Sequence, residues 1–549
     1  ISTALLRNVE ILTGGASAVY GADAVTGVVN FNMRSGASFD GVEVRSQAGV
    51  TDQGDANEFF LSIANGFSSS DGKGDLVFAV EYQETSAVFA RDRKFAGSGL
   101  QRRVTNNQAT IDGLGIDARF ANTWVPDARL PISSDQGVIS LTGSSFVEVI
   151  NSGGQLGCDT IGTSAFPTCQ VFDRSGQLRA YNPGDIFIGG FDASGGDGVP
   201  TDPDNELILP KSERLLFQAA GSYDISDYAS FFIDAKYVGS ETQETNQVNG
   251  FNDDIPIALD NPYIPQALMQ QVTALQAEGI TPDIVMSRDV LDVNAQSNPL
   301  ADRKTTRIVF GVEGIIPSLD FNYELAYNYG ETTANITSRA RIEDRYFAAI
   351  DAAINPDTGE ISCRSDFADD PSIPIGPFPF PAQNDNFGFL TFQAGDGSCV
   401  PINLFGSDSI SQEGANWIFQ PVTSLNKIKQ ENILAVVSGD SSEIFELPAG
   451  PISFAFGYEW RRESSRFTPG NFAAAGFTFG TIDSNGGVQN PSFGSYTVDE
   501  YFVEAKIPLI EGMYLIEQAE LTMAYRSSDY EPYGSTDAWT LGGRWSPID

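Results

Sequence analysis

The sequence predicts an all-β fold, a transmembrane antiparallel β-barrel, on three observations. Segment after segment alternates apolar and polar residues with a period of two. Aromatic residues gather towards the ends of the apolar rows, at Tyr327, Tyr329, Tyr458, Trp460, Trp539 and Trp545. The connections between segments alternate between short and very long. A wall with lipid on one side and water on the other needs such a pattern. A β-sandwich gives the same alternation, so the second and third observations carry the membrane reading.

The first element is residues 8–34, NVEILTGGASAVYGADAVTGVVNFNMR. Ile11 and Leu12 close a short apolar strand. Gly14 and Gly15 supply backbone freedom for a tight turn. Ala16, Ser17 and Ala18 are small, so another backbone can approach. Gly21 and Gly27 punctuate a second turn before Val28, Val29 and Phe31 resume a strand. Alone, Gly-Gly-Ala-Ser is a turn of any α/β domain. It is not a phosphate loop, because no Lys-Ser/Thr follows the glycines.

Taken whole, the string resembles the end of the plug domain of TonB-dependent outer-membrane receptors, where the plug hands over to the first barrel strand. Val9, Glu10, Ile11, Leu12, Gly14, Gly15, Ser17, Tyr20, Gly21, Gly27, Val28, Val29, Asn30 and Phe31 carry the match. The resemblance implies residues 1–36 as the C-terminal part of a plug and 37–549 as the N-terminal part of a barrel. Such barrels have about 22 strands around a plugged lumen. The resemblance also implies a place in the outer membrane of a Gram-negative bacterium, where loops capture a scarce nutrient. The partner it implies is TonB with its inner-membrane energising complex, which pulls on the plug. The family's TonB box and first plug half have no counterpart in these residues.

About twelve strands follow, at 41–50, 57–67, 74–89, 211–224, 229–241, 303–316, 319–335, 427–440, 451–466, 495–507, 515–527 and 534–546, with ends uncertain by several residues. In the seventh, Phe321, Tyr323, Leu325, Tyr327 and Tyr329 alternate with Asn322, Glu324, Ala326 and Asn328. In the ninth, Phe454, Phe456, Tyr458 and Trp460 alternate with Ala455, Gly457 and Glu459. The short connections 68–73, 225–228, 316–318, 447–450 and 508–513 read as periplasmic turns. Those at 94–210, 242–302, 333–425 and 467–494 read as extracellular loops, longer than compact soluble domains carry. Helical patterns lie in two of them, at 264–278 and 342–354. They are expected as amphipathic helices packed within their own loops. Too few strands for the family's barrel and an ending at Trp545-Ser546-Pro547-Ile548-Asp549 predict a chain cut at both ends. Strands 41–50 and 534–546 are then expected at opposite open edges.

A second resemblance lies at 356–364, PDTGEISCR, and 399–406, CVPINLFG. With 447–451, LPAGP, and 457–461, GYEWR, it is similar to a large proteobacterial subgroup of the same receptors, whose substrates are diverse.

Composition excludes several functions. The 549 residues carry 32 basic and 72 acidic side chains, a net charge of -40, against nucleic-acid binding. There are 0 His, so a Ser-His-Asp hydrolase cannot be built. No run of ~18 apolar residues marks a transmembrane helix. The acid pairs Asp253-Asp254 and Asp369-Asp370 read as solvated loop charges. The four Cys pair by position, Cys158 with Cys169 and Cys363 with Cys399, as disulfides of an oxidising compartment. Neither pair has metal or redox spacing.

The expected function is energised uptake of a scarce nutrient: siderophore-iron, cobalamin or an oligosaccharide. A passive porin, a barrel enzyme or an adhesin is the alternative, and the plug motif speaks against the first and last. No catalysis, cofactor or metal is expected. Phe378, Phe380, Phe387, Phe389, Phe392 and Trp417 stack on a ligand or form their loop's own small core, with the core favoured.

Overall fold

Alternation of apolar and polar residues commits each segment to an extended strand with two unlike faces. The computed structural model describes residues 1–13, 27–39, 41–96, 102–105, 122–125, 127–130, 133–141, 169–173, 176–182, 184, 186–187, 193–200, 207–243, 255–289, 299–367, 391–478, 489–514 and 516–547. A hairpin comes first, β1 (Leu6–Thr13) with β2 (Gly27–Met33). Then come β3 (Glu43–Gly49), β4 (Glu58–Ser68), β5 (Gly74–Thr85), β6 (Ser212–Ser226), β7 (Ala229–Gln243) and β8 (Leu300–Ile316). They are followed by β9 (Phe321–Arg341), β10 (Phe419–Asp440), β11 (Ser453–Thr468), β12 (Ser492–Met513), β13 (Ile516–Glu531) and β14 (Gly534–Ser546). Strands β3 to β14 form one 12-stranded antiparallel sheet in sequence order, an up-and-down meander. β3 and β14 stand at its two ends and are not paired to each other, as the sequence leads one to expect.

The strands overrun their predicted ends on the side of the long loops. β9 and β10 stay paired out to Arg341 opposite Phe419. The apolar alternation stops earlier, because a backbone ladder needs no apolar face once it leaves the belt. The connection expected at 508–513 is not a turn. Those residues lie within β12, and the reversal falls between Met513 and Ile516. Proline donates no N–H, and here the ladder slips by one residue between Pro508 and Ile510, a bulge that absorbs it.

The sheet rolls around the hairpin. At one end, Leu5 packs on Ala64 of β4 and on Val77 and Ala79 of β5. Ser2 donates its N–H to Gln218 of β6 and its hydroxyl to Glu81 of β5, at 3.0 and 2.7 Å. At the other end, Leu12 shares a cavity of 490 Å³ with Ala455, Glu504, Lys506, Thr522 and Thr540 of β11 to β14. Between these ends Val9 and Ile11 are exposed. One sheet face therefore meets the hairpin near both of its ends. A flat sheet cannot do this. The junction is fixed by Arg34, which donates to Ala4 O at 3.2 Å and to Glu43 at 2.7 and 3.0 Å, over the Phe39 ring.

At the opposite end of the wall, three long connections build one module with a shared core. Its five-stranded sheet has the order 178–180, 169–172, 138–140, 284–287 and 255–257. Three helices pack on it: α1 (Gln266–Ala277), α2 (Glu343–Ile350) and α3 (Gln412–Ile418). Ile139, Phe172, Leu268, Leu275, Met286, Tyr346, Ile402 and Ile418 are buried together. The helix expected at 342–354 is shorter, because the chain turns at Asp351 into a small hairpin, 352–354 with 361–363. Phe392 and Trp417 meet edge to face at 5.3 Å beside this core, as the loop-core reading expects. Phe378, Phe380, Phe387, Phe389 and both acid pairs lie outside the described residues.

The expected bridge Cys363–Cys399 is present, with Cα atoms 6.0 Å apart across a separation of 36 residues. Cys169 is also disulfide-bonded, and Cys158, its expected partner, lies outside the described residues. Cys363→Ser with Cys399→Ser should destabilise the module by about 3–4 kcal/mol, the loop-closure entropy of a ring of this size. The check is thermal melting with hydrogen exchange read over α2 and α3. Unchanged protection there would refute a stabilising role for the bridge.

Candidate functional site

One outward row of apolar side chains crosses every strand of the sheet. Val44, Ile63, Val80, Phe217 and Tyr237 stand directly opposite one another across β3 to β7. Ile233 faces Phe310, and Phe310, Tyr327, Ile433 and Trp460 continue the row across β8 to β11. Phe456, Val503, Tyr525 and Trp539 complete it across β11 to β14. Val44 is 62% exposed, Phe456 53% and Trp539 74%. A water-soluble surface rarely exposes apolar patches beyond a few hundred Å².

A second feature bounds this belt towards the long loops. Tyrosine rings lie in the belt and their hydroxyls point out of it. Tyr82 donates to Glu84, Tyr327 to Glu431, Tyr329 to Glu331, Tyr458 to Asp499 and Tyr525 to Asp537, at 2.6–3.2 Å. An aromatic side chain with one wet end suits the boundary between hydrocarbon and headgroups.

The inward face is polar. Arg307 donates to Asn328, Asn328 to Gln430, and Gln430 to Glu463, at 3.0, 3.2 and 2.6 Å across four strands. Arg526 holds Glu500 at 2.8 and 3.1 Å and also Glu459, and its guanidinium lies over the Phe502 ring. Phe502 needs Gly457 opposite it, where a Cβ would come within 2.0 Å of the ring. At the short-turn end a cavity of 550 Å³ is lined by Asp71, Lys73, Asp224, Asp227, Glu313 and Glu324.

Of the motif residues, Glu10, Gly27 and Asn30 lie on the β1–β2 hairpin. Glu10 and Asn30 are cross-strand partners, and Asn30 Nδ2 donates to Glu10 at 3.5 Å. Gly27 faces Thr13, and a Cβ there would come within 2.4 Å of the Leu12 carbonyl oxygen. Gly14, Gly15, Ser17, Tyr20 and Gly21 lie outside the described residues. Among the described residues no group of three His, Cys, Asp or Glu side chains is placed to hold a metal ion. No helix among them is long and apolar enough to cross a membrane.

Sequence reasoning missed the polar seam that knits the three loops. Asp289 N–H donates to Ser134 O at 3.1 Å, and Gly406 N–H to Gln136 O at 3.1 Å. Arg288, fully buried, donates to Gly406 O at 3.1 Å. Arg364 bridges Asp260 and Asp351 at 2.8 and 3.1 Å. The signal was a Ser-Arg-Asp run at 287–289 ending a fully buried strand. Burial pushes the Asp289 carboxyl up to about 6, against the pull of the Ser133 hydroxyl and of Arg288 and Arg341, with Asp135 opposing ionisation too. A folded value above the ordinary one means the closed module keeps a proton that the opened one releases. This contribution is complete below the ordinary carboxylate range and is lost as pH rises through about 6. Raising the pH from about 5 to 7.5 should cost the module about 1–2 kcal/mol of protection over 284–289, and Asp289→Asn should remove most of that dependence. Hydrogen exchange corrected for intrinsic rates checks this.

No protein-family profile matches the chain, and no curated protein does. Solved structures do align with it. The siderophore receptor PirA from Acinetobacter baumannii is 10% identical, covering 99% of this chain and 46% of that one, with a TM-score of 0.41. A ferric enterobactin receptor (PfeA) mutant from Pseudomonas aeruginosa is 10% identical over 99% and 47%, at 0.43. The pyoverdine outer membrane receptor FpvA from Pseudomonas aeruginosa is 7% identical over 99% and 48%, at 0.40. The chain spans about half the length of each.

Proposed function

We propose that this chain forms wall and plug of a bacterial outer-membrane importer that takes up a scarce nutrient with energy drawn through TonB. The observation that carries the reading is the apolar belt, unbroken across twelve strands, outside a polar inward face that holds the hairpin near both its ends. Lipid against the belt explains its exposure, and water inside explains the ion pairs of the inward face. A hairpin held inside the curve speaks for a plugged lumen over a passive pore. Residues 1–36 are then plug and 37–549 wall. Glu10, Gly27 and Asn30 shape the plug strands, and Gly14, Gly15, Ser17, Tyr20 and Gly21 complete the plug motif. The interlocked loops stand where a ligand would first be met.

Neighbouring residues on one strand test the reading, because they face opposite media. Leu325 is in the belt and Glu324 lines the interior cavity. Leu325→Arg should weaken folding into lipid vesicles by about 2–4 kcal/mol, the usual cost of a cation on the lipid face. Glu324→Arg should be tolerated, since it faces water and the carboxylate of Glu313 across the strand pair. Equal effects of the two changes would refute a membrane wall. Uptake that persists after the proton gradient is collapsed would refute energised import.

A further inference from the structure

Charge at the long-loop rim of the belt is distributed unevenly. Just beyond the aromatic ring on β12 to β14, the outward positions Asp499, Asp529 and Asp537 are all acidic. On β8 to β11 the outward rim positions carry five cations, Lys304, Lys427, Lys429, Arg462 and Arg466, against three carboxylates, Asp302, Glu331 and Glu431. A chain with 32 basic residues against 72 acidic ones has concentrated cations on one lipid-facing patch.

The arrangement within the patch is costly without an anion. Lys427 and Arg466 are directly opposite each other on neighbouring strands. Like charges so placed destabilise a sheet. A single carboxylate, Glu331, serves both Lys427 and Lys429, at 2.7 and 3.3 Å. Lys429 lies 5.7 Å from the centre of the Tyr329 ring, so its ammonium sits at the level of the tyrosine hydroxyls. Arg462 and Arg466 are exposed. Thr333 faces Lys427 and Ser464 faces Lys429, adding hydroxyl donors beside the cations.

We propose that this patch is a docking site for the phosphate groups of an acylated outer-leaflet lipid. The acyl chains would lie along the belt below and the phosphates on Lys427, Lys429 and Arg466, with Glu331 as the internal competitor. Height fixes the class of ligand. A soluble anion has no reason to prefer a site bordered by exposed Ile433 and Phe456 and half-buried Trp460, whereas a lipid satisfies both halves at once. The inference rests on the membrane reading above.

The test uses the purified chain in neutral detergent micelles. Bound lipid is counted by native mass spectrometry with diphosphoryl lipid A, the same lipid with its phosphates removed, and inorganic phosphate. Diphosphoryl lipid A should bind and the dephosphorylated form should not, with inorganic phosphate failing to displace it. Lys427→Gln with Lys429→Gln and Arg466→Gln should weaken binding roughly 100-fold, at about a factor of five for each cation near an anionic surface. Asp499→Asn with Asp529→Asn should leave it unchanged. Glu331→Gln should tighten it about 5-fold by freeing two lysines, an effect that no folding defect imitates. Indifference to the lipid phosphates, displacement by inorganic phosphate, or an unchanged triple variant would overturn the proposal. Such indifference with Leu325→Arg still costing far more than Glu324→Arg defeats this inference alone, and equal effects of those two changes defeat the membrane reading with it.

Discussion

Register parity across the twelve-stranded sheet is the constraint on which the rest depends. Side chains on a strand alternate faces, so a slip of one residue between any two neighbours would turn every later strand inside out. From β3 to β14 the directly opposed pairs preserve the parity, with Val44 against Ile63 at one end and Tyr525 against Trp539 at the other. The single bulge in β12 lies at Pro508, beyond the belt, and so leaves the parity of Tyr501 and Val503 untouched. Because parity holds, the apolar belt is collected outside and the Arg526–Glu500–Glu459 cluster inside.

An interior with that polarity accepts a polar guest. Ser2 finds Gln218 and Glu81 on the inward face, while Leu5 uses the few small apolar positions there, Ala64 and Ala79. The hairpin is attached at its tips and exposed between them. Among the described residues this anchoring falls at Ser2, Leu5 and Leu12.

The loop module obeys different physics. It has a buried core of its own, fed by three connections distant in sequence, and buried charges at the seams between them. Isolated apolar loop residues would not stay folded. Shared among three loops, and closed by the Cys363–Cys399 bridge, they reach the burial that a small domain needs.

The sequence by itself determined the strands, their faces, and the alternation of short and long connections. All three depend on the two-residue period, which is local. It also marked the helices near 264–278 and 342–354, since an amphipathic period is local too. Cys363 and Cys399 were legible because they sit in one loop. Only the tertiary structure decided what depends on distant partners. The overrun of β9 and β10 comes from mutual pairing rather than from apolar content. The pairing of Arg526 with Glu500 and Glu459 joins three strands, and the seam of Arg288, Asp289 and Gly406 joins separate loops. The like-charged contact of Lys427 with Arg466 appears only when strand register places them side by side. A one-dimensional pattern states which face a residue takes, and register alone states which residue it meets there.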